Sequence, residues 1–387
     1  MPRGSSKSYS SVIKLDDNTI AFFALVKAGL WENSQKFSVE SFELRDSVDW
    51  GEVYRIASEQ SVLGLVLAGI DYLPNDQRPP KIELLQWIGE IQMLEQQNQA
   101  MNNFIGKLVE DMRYKGIYTT LIKGQGTAQC YERPLWRSAG DVDFFLSEDN
   151  YEEAKVYLAR IASDIEPEKE RTKHIGFTVD QWLVELHATM HSGLKKSVDR
   201  VIDEVRRSVF NEGNVRGWDN NGVDVFIPSP DNDIIIVFTH FLGHFCFGGI
   251  GLKQICDWCR LLWVYRDEID HRLLQKRLEA MGLMTEWKAF GAFAIEYLGM
   301  PADAMPLYSA TSGYKRKANR ICARILKSGN MGQNNDGSYR QKEPQWKADI
   351  ITMGHRVGEY FGLMRIFPWD ATVFMKNYLK QKLPWNK

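Results

Sequence analysis

The chain has 387 residues, of which 44% are hydrophobic and 25% are charged. This is ordinary usage for globular proteins, and it excludes wholesale disorder, collagen-like repeats and coiled-coil rods. Lys and Arg number 48 and Asp and Glu number 50, so the net charge of −2 argues against a protein that binds nucleic acid through a broad basic surface.

Helices are predicted for the first third of the chain, followed by a block in which strands and helices alternate. Apolar residues recur at helical spacing in residues 19–29, 50–69 and 82–112. Runs of β-branched and aromatic residues then predict strands at residues 117–122, 141–146, 174–179, 182–188 and 223–227. Ser147 and the acids after it predict the start of a helix over residues 147–160.

The remainder of the chain is predicted to be helical again from residue 231 to about residue 300. Residues 327–345 are polar and rich in Gly and Asn, which is typical of a mobile linker. We therefore expect a helical region (1–106), an α/β core (107–228), a helical domain (229–326), a flexible loop (327–345) and C-terminal helices (346–387).

One apolar segment and the cysteines bear on the cellular compartment. Nineteen uncharged residues lie between Asp233 and Lys253, but they include two histidines and four glycines, so we expect a buried helix that ends in a glycine-rich turn rather than a transmembrane segment. The five scattered cysteines disfavour a disulfide framework, and the polar start lacks the apolar region of a secretory signal. These features predict a cytoplasmic protein.

Asp141 and Asp143 are the first candidates for chemistry. Residues i and i+2 of a strand point to the same face, so both carboxylates face one place. Two carboxylates side by side on a half-buried strand repel each other and lose hydration, which is costly unless cations neutralise them. Mg²⁺ prefers oxygen ligands, so the pair predicts a Mg²⁺ or Mn²⁺ site, with a solvated strand end as the alternative.

Glu185 is the candidate for a third carboxylate. It lies in the middle of the strand predicted over residues 182–188, and His187 shares its face. Two metal ions about 4 Å apart can activate an attacking oxygen and stabilise a leaving pyrophosphate. The alternative role of Glu185 is that of an ordinary salt-bridge partner.

A glycine-rich turn precedes the two aspartates. It consists of Lys123, Gly124, Gln125, Gly126 and Thr127. The turn closes a strand and opens a helix, where backbone N–H groups can approach a phosphate, and Arg137 is a candidate for neutralising phosphate charge. The alternatives are a surface cation for Lys123 and, for Arg137, a structural partner of Glu132 or of the aspartates.

The histidines allow a zinc hypothesis, which is disfavoured. His187 and His191 are four residues apart, as are His240 and His244, but neither pair lies in an HExxH motif and His187 lies in a predicted strand. His187, His240, His244 and Lys253 are instead candidates for contact with the substrate. A polar network between helices is the alternative.

The ordered set of motifs resembles a known family. The stretch LIKGQGTAQCYERPLWRSAGDVDFFL is similar to the bacterial family of uncharacterised nucleotidyltransferases, in the superfamily whose type member is DNA polymerase beta. The stretches FFALVKAGLW, EQSVLGLVLAGI and HFLGHFCFGGIGLKQICDW extend the resemblance over most of the chain. The resemblance implies metal ligands at Asp141 and Asp143, a third acid at Glu185 and a phosphate-binding turn at residues 123–127.

The resemblance also implies the fold class, an α/β (α+β) nucleotidyltransferase core with a mixed β-sheet between N- and C-terminal helical regions. Residues 107–228 are then the catalytic core. The chain departs from the superfamily pattern in two ways. The usual Gly-Ser pair is replaced by Gly124-Gln125 or by Gly126-Thr127, and the third acid is Glu where the superfamily mostly has Asp.

The sequence therefore predicts a Mg²⁺-dependent nucleotidyltransferase that moves an NMP from an NTP, of which ATP is one candidate, to an unidentified acceptor with release of pyrophosphate. Asp141, Asp143 and Glu185 are its expected catalytic residues, and the turn and Arg137 are expected to hold the triphosphate. A small molecule or a protein is favoured over nucleic acid as the acceptor. Two alternatives stay open, a catalytically degenerate nucleotide-binding or regulatory module of the same fold and a helical scaffold protein.

Overall fold

The computed structural model describes residues 15–31, 48–169, 173–329 and 345–382. Most of the linker predicted at residues 327–345 lies outside the described residues.

Glycine allows two of the N-terminal helices to cross closely. The N-terminal helices are α1 (Asp17–Leu30), α2 (Trp50–Glu59) and α3 (Leu63–Ile70). The helical pattern over residues 50–69 is interrupted between α2 and α3, where Ser61 adopts a φ of 57°. Helices α1 and α3 cross so closely that a Cβ atom on Gly29 would overlap the carbonyl oxygen of Leu65, so the crossing requires glycine.

A long helix leads into the predicted α/β block. Helix α4 (Lys81–Tyr114) begins directly after Pro80 and is roughly 50 Å long. The elements that follow are β1 (Thr120–Ile122), α5 (Gly124–Ala128), β2 (Asp141–Phe145), α6 (Glu148–Leu158), β3 (Asp164–Ile165), β4 (His174–Val179) and β5 (Trp182–His187). Ser147 caps α6 as predicted, with its side chain accepting a hydrogen bond from the backbone N–H of Asn150.

Within the described residues the strands of this block form one five-stranded sheet in the order β1-β2-β5-β4-β3. Strands β2 and β5 pair in parallel, whereas the other neighbours pair antiparallel. Val142, Phe144, Val184 and Leu186 point to one face and join a hydrophobic core with helices α4 and α6. The predicted mixed sheet between helical regions is confirmed.

A helix and a hairpin follow the sheet. They are α7 (Lys196–Phe210), β6 (Val215–Asn220) and β7 (Val223–Pro228). Asn221 and Gly222 turn the hairpin with φ angles of 54° and 90°, as a tight Asn-Gly turn requires. The hairpin lies against α4, since the Asn220 side chain donates to the carbonyl oxygen of Asn102 over 2.7 Å.

The C-terminal part of the described chain is helical. Its helices are α8 (Pro230–Phe247), α9 (Leu252–Val264), α10 (His271–Met281), α11 (Met284–Leu298), α12 (Ser312–Ser328), α13 (Gln345–Met364) and α14 (Pro368–Lys382). Helix α8 ends before Gly248, and Phe238 within it packs on Trp258 and Trp287 of the neighbouring helices. Among the residues that the structure describes, no helix has both the length and the apolar composition needed to cross a bilayer.

Candidate active site

Two parallel strands at the centre of the sheet carry the acidic residues. In the register of β2 and β5, Asp143 lies opposite Glu185 and Asp141 lies opposite Leu183. Because side chains alternate along a strand, Asp141, Asp143 and Glu185 leave the sheet on the face opposite to the core that holds Val142. The parallel pairing therefore brings acids 42 residues apart in sequence (185 − 143) to one place.

The three carboxylates converge. One oxygen atom from each of Asp141, Asp143 and Glu185 lies within 4.8 Å of the others. Asp143 is only 2% exposed, whereas Asp141 and Glu185 are partly exposed. The structure thus brings together the three acids that the sequence singled out, at a place that solvent can reach.

One lysine and two histidines lie directly on these acids. The Nζ atom of Lys123 is 2.9 Å from Oδ1 of Asp143, and Nε2 of His187 is 2.8 Å from the same oxygen. Oε2 of Glu185 lies 3.4 Å from Nε2 of His187 and 3.2 Å from Nε2 of His174. The negative charge of the cluster is therefore partly neutralised by the chain itself.

The carboxylates and the ammonium group shift one another's pKa. Asp143, followed by burial, raises the pKa of Asp141, while the charge of Lys123 opposes the rise. Burial lowers the pKa of Lys123, but the carboxylates of Asp143 and Asp141 outweigh burial and raise it overall. Lys123 is therefore charged at neutral pH, and a single ammonium group cannot balance three carboxylates.

The imidazoles of His174 and His187 lower the pKa of Glu185, whereas the pKa of Asp141 is raised. Burial raises the pKa of Glu185, but hydrogen bonds with His174 and His187 outweigh burial and hold it far below its ordinary range. Burial lowers the pKa of His187, but its hydrogen bonds with Asp143 and Glu185 raise it overall. Glu185 is consequently an anion at neutral pH and a weak base.

His174 is a site residue that the sequence analysis missed. It lies opposite His187 in the antiparallel pair of β4 and β5, and the two rings stack with centroids 4.5 Å apart and planes 3° apart. The register of the hairpin was available as a signal, because Val179 opposite Trp182 places residue 174 opposite residue 187.

The glycine-rich segment forms a short helix whose residues serve different purposes. Lys123 adopts a φ of 56°, uncommon for a residue with a side chain, and this backbone precedes α5 directly. A Cβ atom on Gly126 would lie 3.2 Å from Ile227, and the Gln125 side chain donates to Asn98 over 2.8 Å. The start of the segment adjoins the acids through Lys123, and Gln125 and Thr127 are both buried.

Arg137 is bound by a different carboxylate from those in the acid cluster. Its Nε and Nη2 atoms donate to the two oxygens of Asp257 over 2.9 and 2.7 Å. The hydroxyl of Tyr131 donates to Asp257 over 2.8 Å as well. This buried pair ties the loop before β2 to helix α9, so Arg137 has a structural partner, though neither Glu132 nor an aspartate of the cluster.

Two histidines of α8 also lie near the acid cluster. The rings of His240 and His244 are 4.6 Å apart, as the i, i+4 spacing on a helix allows. Burial, followed by the charge of Lys123, lowers the pKa of both groups. Both imidazoles are therefore neutral at neutral pH.

The donor set fits a divalent cation. Three carboxylates supply hard oxygen ligands of the kind that Mg²⁺ and Mn²⁺ take, and they converge from a rigid pair of strands. The Lys123 ammonium, 2.9 Å from Asp143, shows that a cation is accommodated among them. The imidazoles of His174 and His187 border the same group through Glu185.

Comparison with known proteins identifies the family. A family model described as uncharacterised nucleotidyltransferase matches residues 46–299, which are more than half of the chain and include β2 and β5. No curated protein and no solved structure matches the chain. The chain therefore belongs to the family of uncharacterised nucleotidyltransferases.

Proposed function

We propose that the protein transfers an NMP from an NTP to an acceptor and releases pyrophosphate, with Asp141, Asp143 and Glu185 as ligands of Mg²⁺ or Mn²⁺. The observation that carries the proposal is the convergence of these carboxylates within 4.8 Å, from two paired strands, in a chain of a nucleotidyltransferase family. In the reaction an acceptor oxygen or nitrogen loses its proton to solvent and forms a bond to the α-phosphorus, while the bond from that phosphorus to the oxygen that bridges to the β-phosphate breaks and pyrophosphate leaves. A bound divalent cation supplies neutralisation of the charge on the phosphate oxygens.

The roles of the surrounding residues follow from their charges. Glu185 is a better ligand than general base, because its hydrogen bonds to His174 and His187 keep it ionised and weakly basic. Lys123 adds a positive charge where the phosphates of an NTP bound at the acids would lie. His240 and His244, both neutral, are the groups that we assign to hydrogen bonding with the substrate.

The sequence predicted that residues 123–127 and Arg137 bind the nucleotide. Only the start of that segment is proposed to do so. Lys123 and Gly124 border the acids, since a Cβ atom on Gly124 would lie 3.5 Å from the carbonyl oxygen of Asp141. Gln125, Gly126 and Thr127 are proposed to support this corner by packing. Arg137 is proposed to position the loop before β2 through Asp257, not to contact the triphosphate.

The superfamily, the extent of the catalytic core and the cellular compartment are also proposals. The mixed sheet with acids on β2 and β5 supports membership of the superfamily of DNA polymerase beta and a catalytic core over residues 107–228. The buried, free state of all five cysteines supports a reducing compartment. The other predicted domain boundaries lie at residues 106, 326 and 345. These boundaries and membership of a bacterial family stay predictions.

A catalytically degenerate nucleotide-binding module is the second candidate, and one observation favours it. Oδ1 of Asp143 already contacts Lys123 and His187 at 2.9 and 2.8 Å, so the chain can hold this carboxylate without a metal ion. Against it, three carboxylates exceed the charge that these partners supply. Release of pyrophosphate separates the enzyme from the binding module.

The test is a transfer screen with NTPs labelled at the α-phosphate, with Mg²⁺ or Mn²⁺ and a cell extract as the source of acceptors. The Asp141→Asn/Asp143→Asn double variant removes the paired charges at nearly constant volume, and Asp111→Asn on the exposed side of α4 is the matched control. Label should be transferred by the wild type and by the control but not by the double variant. Transfer that survives in the double variant would refute the mechanism.

A further inference from the structure

A cleft separates the N-terminal helices from the loop that leads to β2. Its walls come from the end of α1, from α3, from residues 131–137 and from Lys253 at the start of α9. The cleft is open to solvent at its mouth and narrow inside. An interior so narrow has room for a small polar group but not for a whole nucleotide.

The charges that line the cleft are unequal. Among the described lining residues they are Glu132, Arg133, Arg137 and Lys253. Glu132 pairs with Arg260, Arg133 with Asp71 and Arg137 with Asp257. These partners are not lining residues of the cleft. Within the described ranges, no carboxylate oxygen lies within 4.0 Å of the Lys253 ammonium nitrogen. Lys253 is therefore the one charged residue of the described lining that has no ion-pair partner within this distance, and the more remote charges of Asp257 and Asp141 only partly offset its burial.

The position of Lys253 makes this charge unfavourable in the free protein. It is the second residue of α9, at the positive end of the helix dipole. Gln60 accepts hydrogen bonds from the backbone N–H groups of Leu252 and Lys253 through its side-chain and main-chain oxygens, so these two N–H groups of the helix end already have partners. Burial, followed by the charge of Arg137, lowers the pKa of Lys253 to about 8. An ammonium group in such surroundings gains most from a bound anion.

The charge of Lys253 in the cleft acts on a carboxylate of the acid cluster. The charge of Lys253 is one of the influences that lower the pKa of Asp141, against the larger effects of Asp143 and burial. Arg137 lies in the cleft wall, four residues before Asp141. Residues 138–140 join this part of the cleft wall to the strand that carries the first two acids.

We propose that this cleft binds an anionic group of the acceptor, a phosphate or a carboxylate, with Lys253 as its ion-pair partner. The anion site follows from the charges of the cleft alone, whereas its assignment to the acceptor rests on the proposed function. The substrate class is thus a small anionic molecule whose nucleophilic atom is presented to the acid cluster.

The first test measures anion binding to the full-length protein without divalent cations, with inorganic phosphate and acetate as separate probes. Tryptophan fluorescence is the readout, because Trp136 lines the cleft. Wild type, Asp143→Asn and the control Lys276→Met, which lies on the exposed side of α10, should bind at least one probe saturably. Lys253→Met should bind it at least tenfold more weakly, and Lys253→Arg should retain binding.

The probe that binds more tightly identifies phosphate or carboxylate as the anion. Unaltered binding by Lys253→Met, or no saturable response of the wild type to either probe, would overturn the proposal. Retained binding in Lys253→Arg shows that loss in Lys253→Met is a loss of charge rather than of fold.

The second test separates the acceptor from the NTP. Equilibrium dialysis with ATP and Mg²⁺ should give the same affinity for wild type and Lys253→Met, and inorganic phosphate should not displace ATP. A matching loss of ATP binding in Lys253→Met would assign the cleft to the triphosphate and overturn the acceptor assignment. If no variant binds ATP while anion binding persists, the proposed function fails and the anion site stands.

Discussion

Replacement of Arg137 by Met tests whether this guanidinium stabilises the fold or binds the nucleotide. Both members of the Arg137–Asp257 pair have side chains that are only 6% exposed, and two hydrogen bonds join them. The variant leaves the Asp257 carboxylate buried with the hydroxyl of Tyr131 as its remaining donor from this group. Removal of one partner from a buried ion pair costs about 3–5 kcal/mol.

Urea denaturation followed by tryptophan fluorescence measures the effect. Arg137→Met should lower the free energy of unfolding by about 3–5 kcal/mol, and Arg137→Met/Asp257→Leu should recover most of the loss because no buried charge then lacks a partner. Arg133→Met is the matched control, since its pair with Asp71 is 32% and 57% exposed and contributes about 1 kcal/mol or less. An Arg137→Met protein with full stability but no affinity for NTP would refute the structural assignment and restore the phosphate-binding prediction.

Two further changes probe stability in the same assay. Burial and Asp370 raise the pKa of Glu286 to about 7, so the stability that its neutral form contributes is fully present below pH 4.5 and is lost as pH rises through 7. The free energy of unfolding should fall by roughly 3 kcal/mol between pH 4.5 and 8 on account of this group, and Glu286→Gln should remove that slope; a slope that persists contradicts the assignment. Gly29→Ala should cost about 1–3 kcal/mol by forcing α1 away from the Leu65 carbonyl group, whereas Gly89→Ala in α4, where an added Cβ atom has open space, should stabilise by about 0.4–1 kcal/mol. Equal effects of the two glycine substitutions would disprove the close crossing.

Local sequence signals predicted most elements of the described fold, because they act over a few residues. Ser147 begins α6, and runs of β-branched and aromatic residues located β2, β4, β5 and β7. Strand β6 was missed because Gly217, Asp219 and Asn220 belong to residue types that are depleted in strands, and its pairing with β7 holds it in place. The interruption at Ser61 was missed because Gly or Pro does not mark it.

In the candidate site, too, the features with local signals were predicted and those that depend on tertiary contacts were not. The period of two along a strand placed Asp141 with Asp143 on one face. The motifs around them also indicated the nucleotidyltransferase family, which the match over residues 46–299 confirms. The partner of Arg137 could not be foreseen, because Asp257 is 120 residues away and reaches it only through the packing of α9. The packing of Gln125 against α4 depends on tertiary contacts in the same way.

Direct binding of Mn²⁺ to the protein, followed by electron paramagnetic resonance, tests the central claim that three carboxylates hold a divalent cation. Glu185 is the informative position, because it joins the aspartates only through the parallel pairing of β2 and β5. Glu185→Gln should bind Mn²⁺ at least tenfold more weakly than the wild type, while Asp111→Asn should bind it equally well. Wild-type affinity in Glu185→Gln, or no Mn²⁺ binding by the wild type, would contradict a three-carboxylate metal centre.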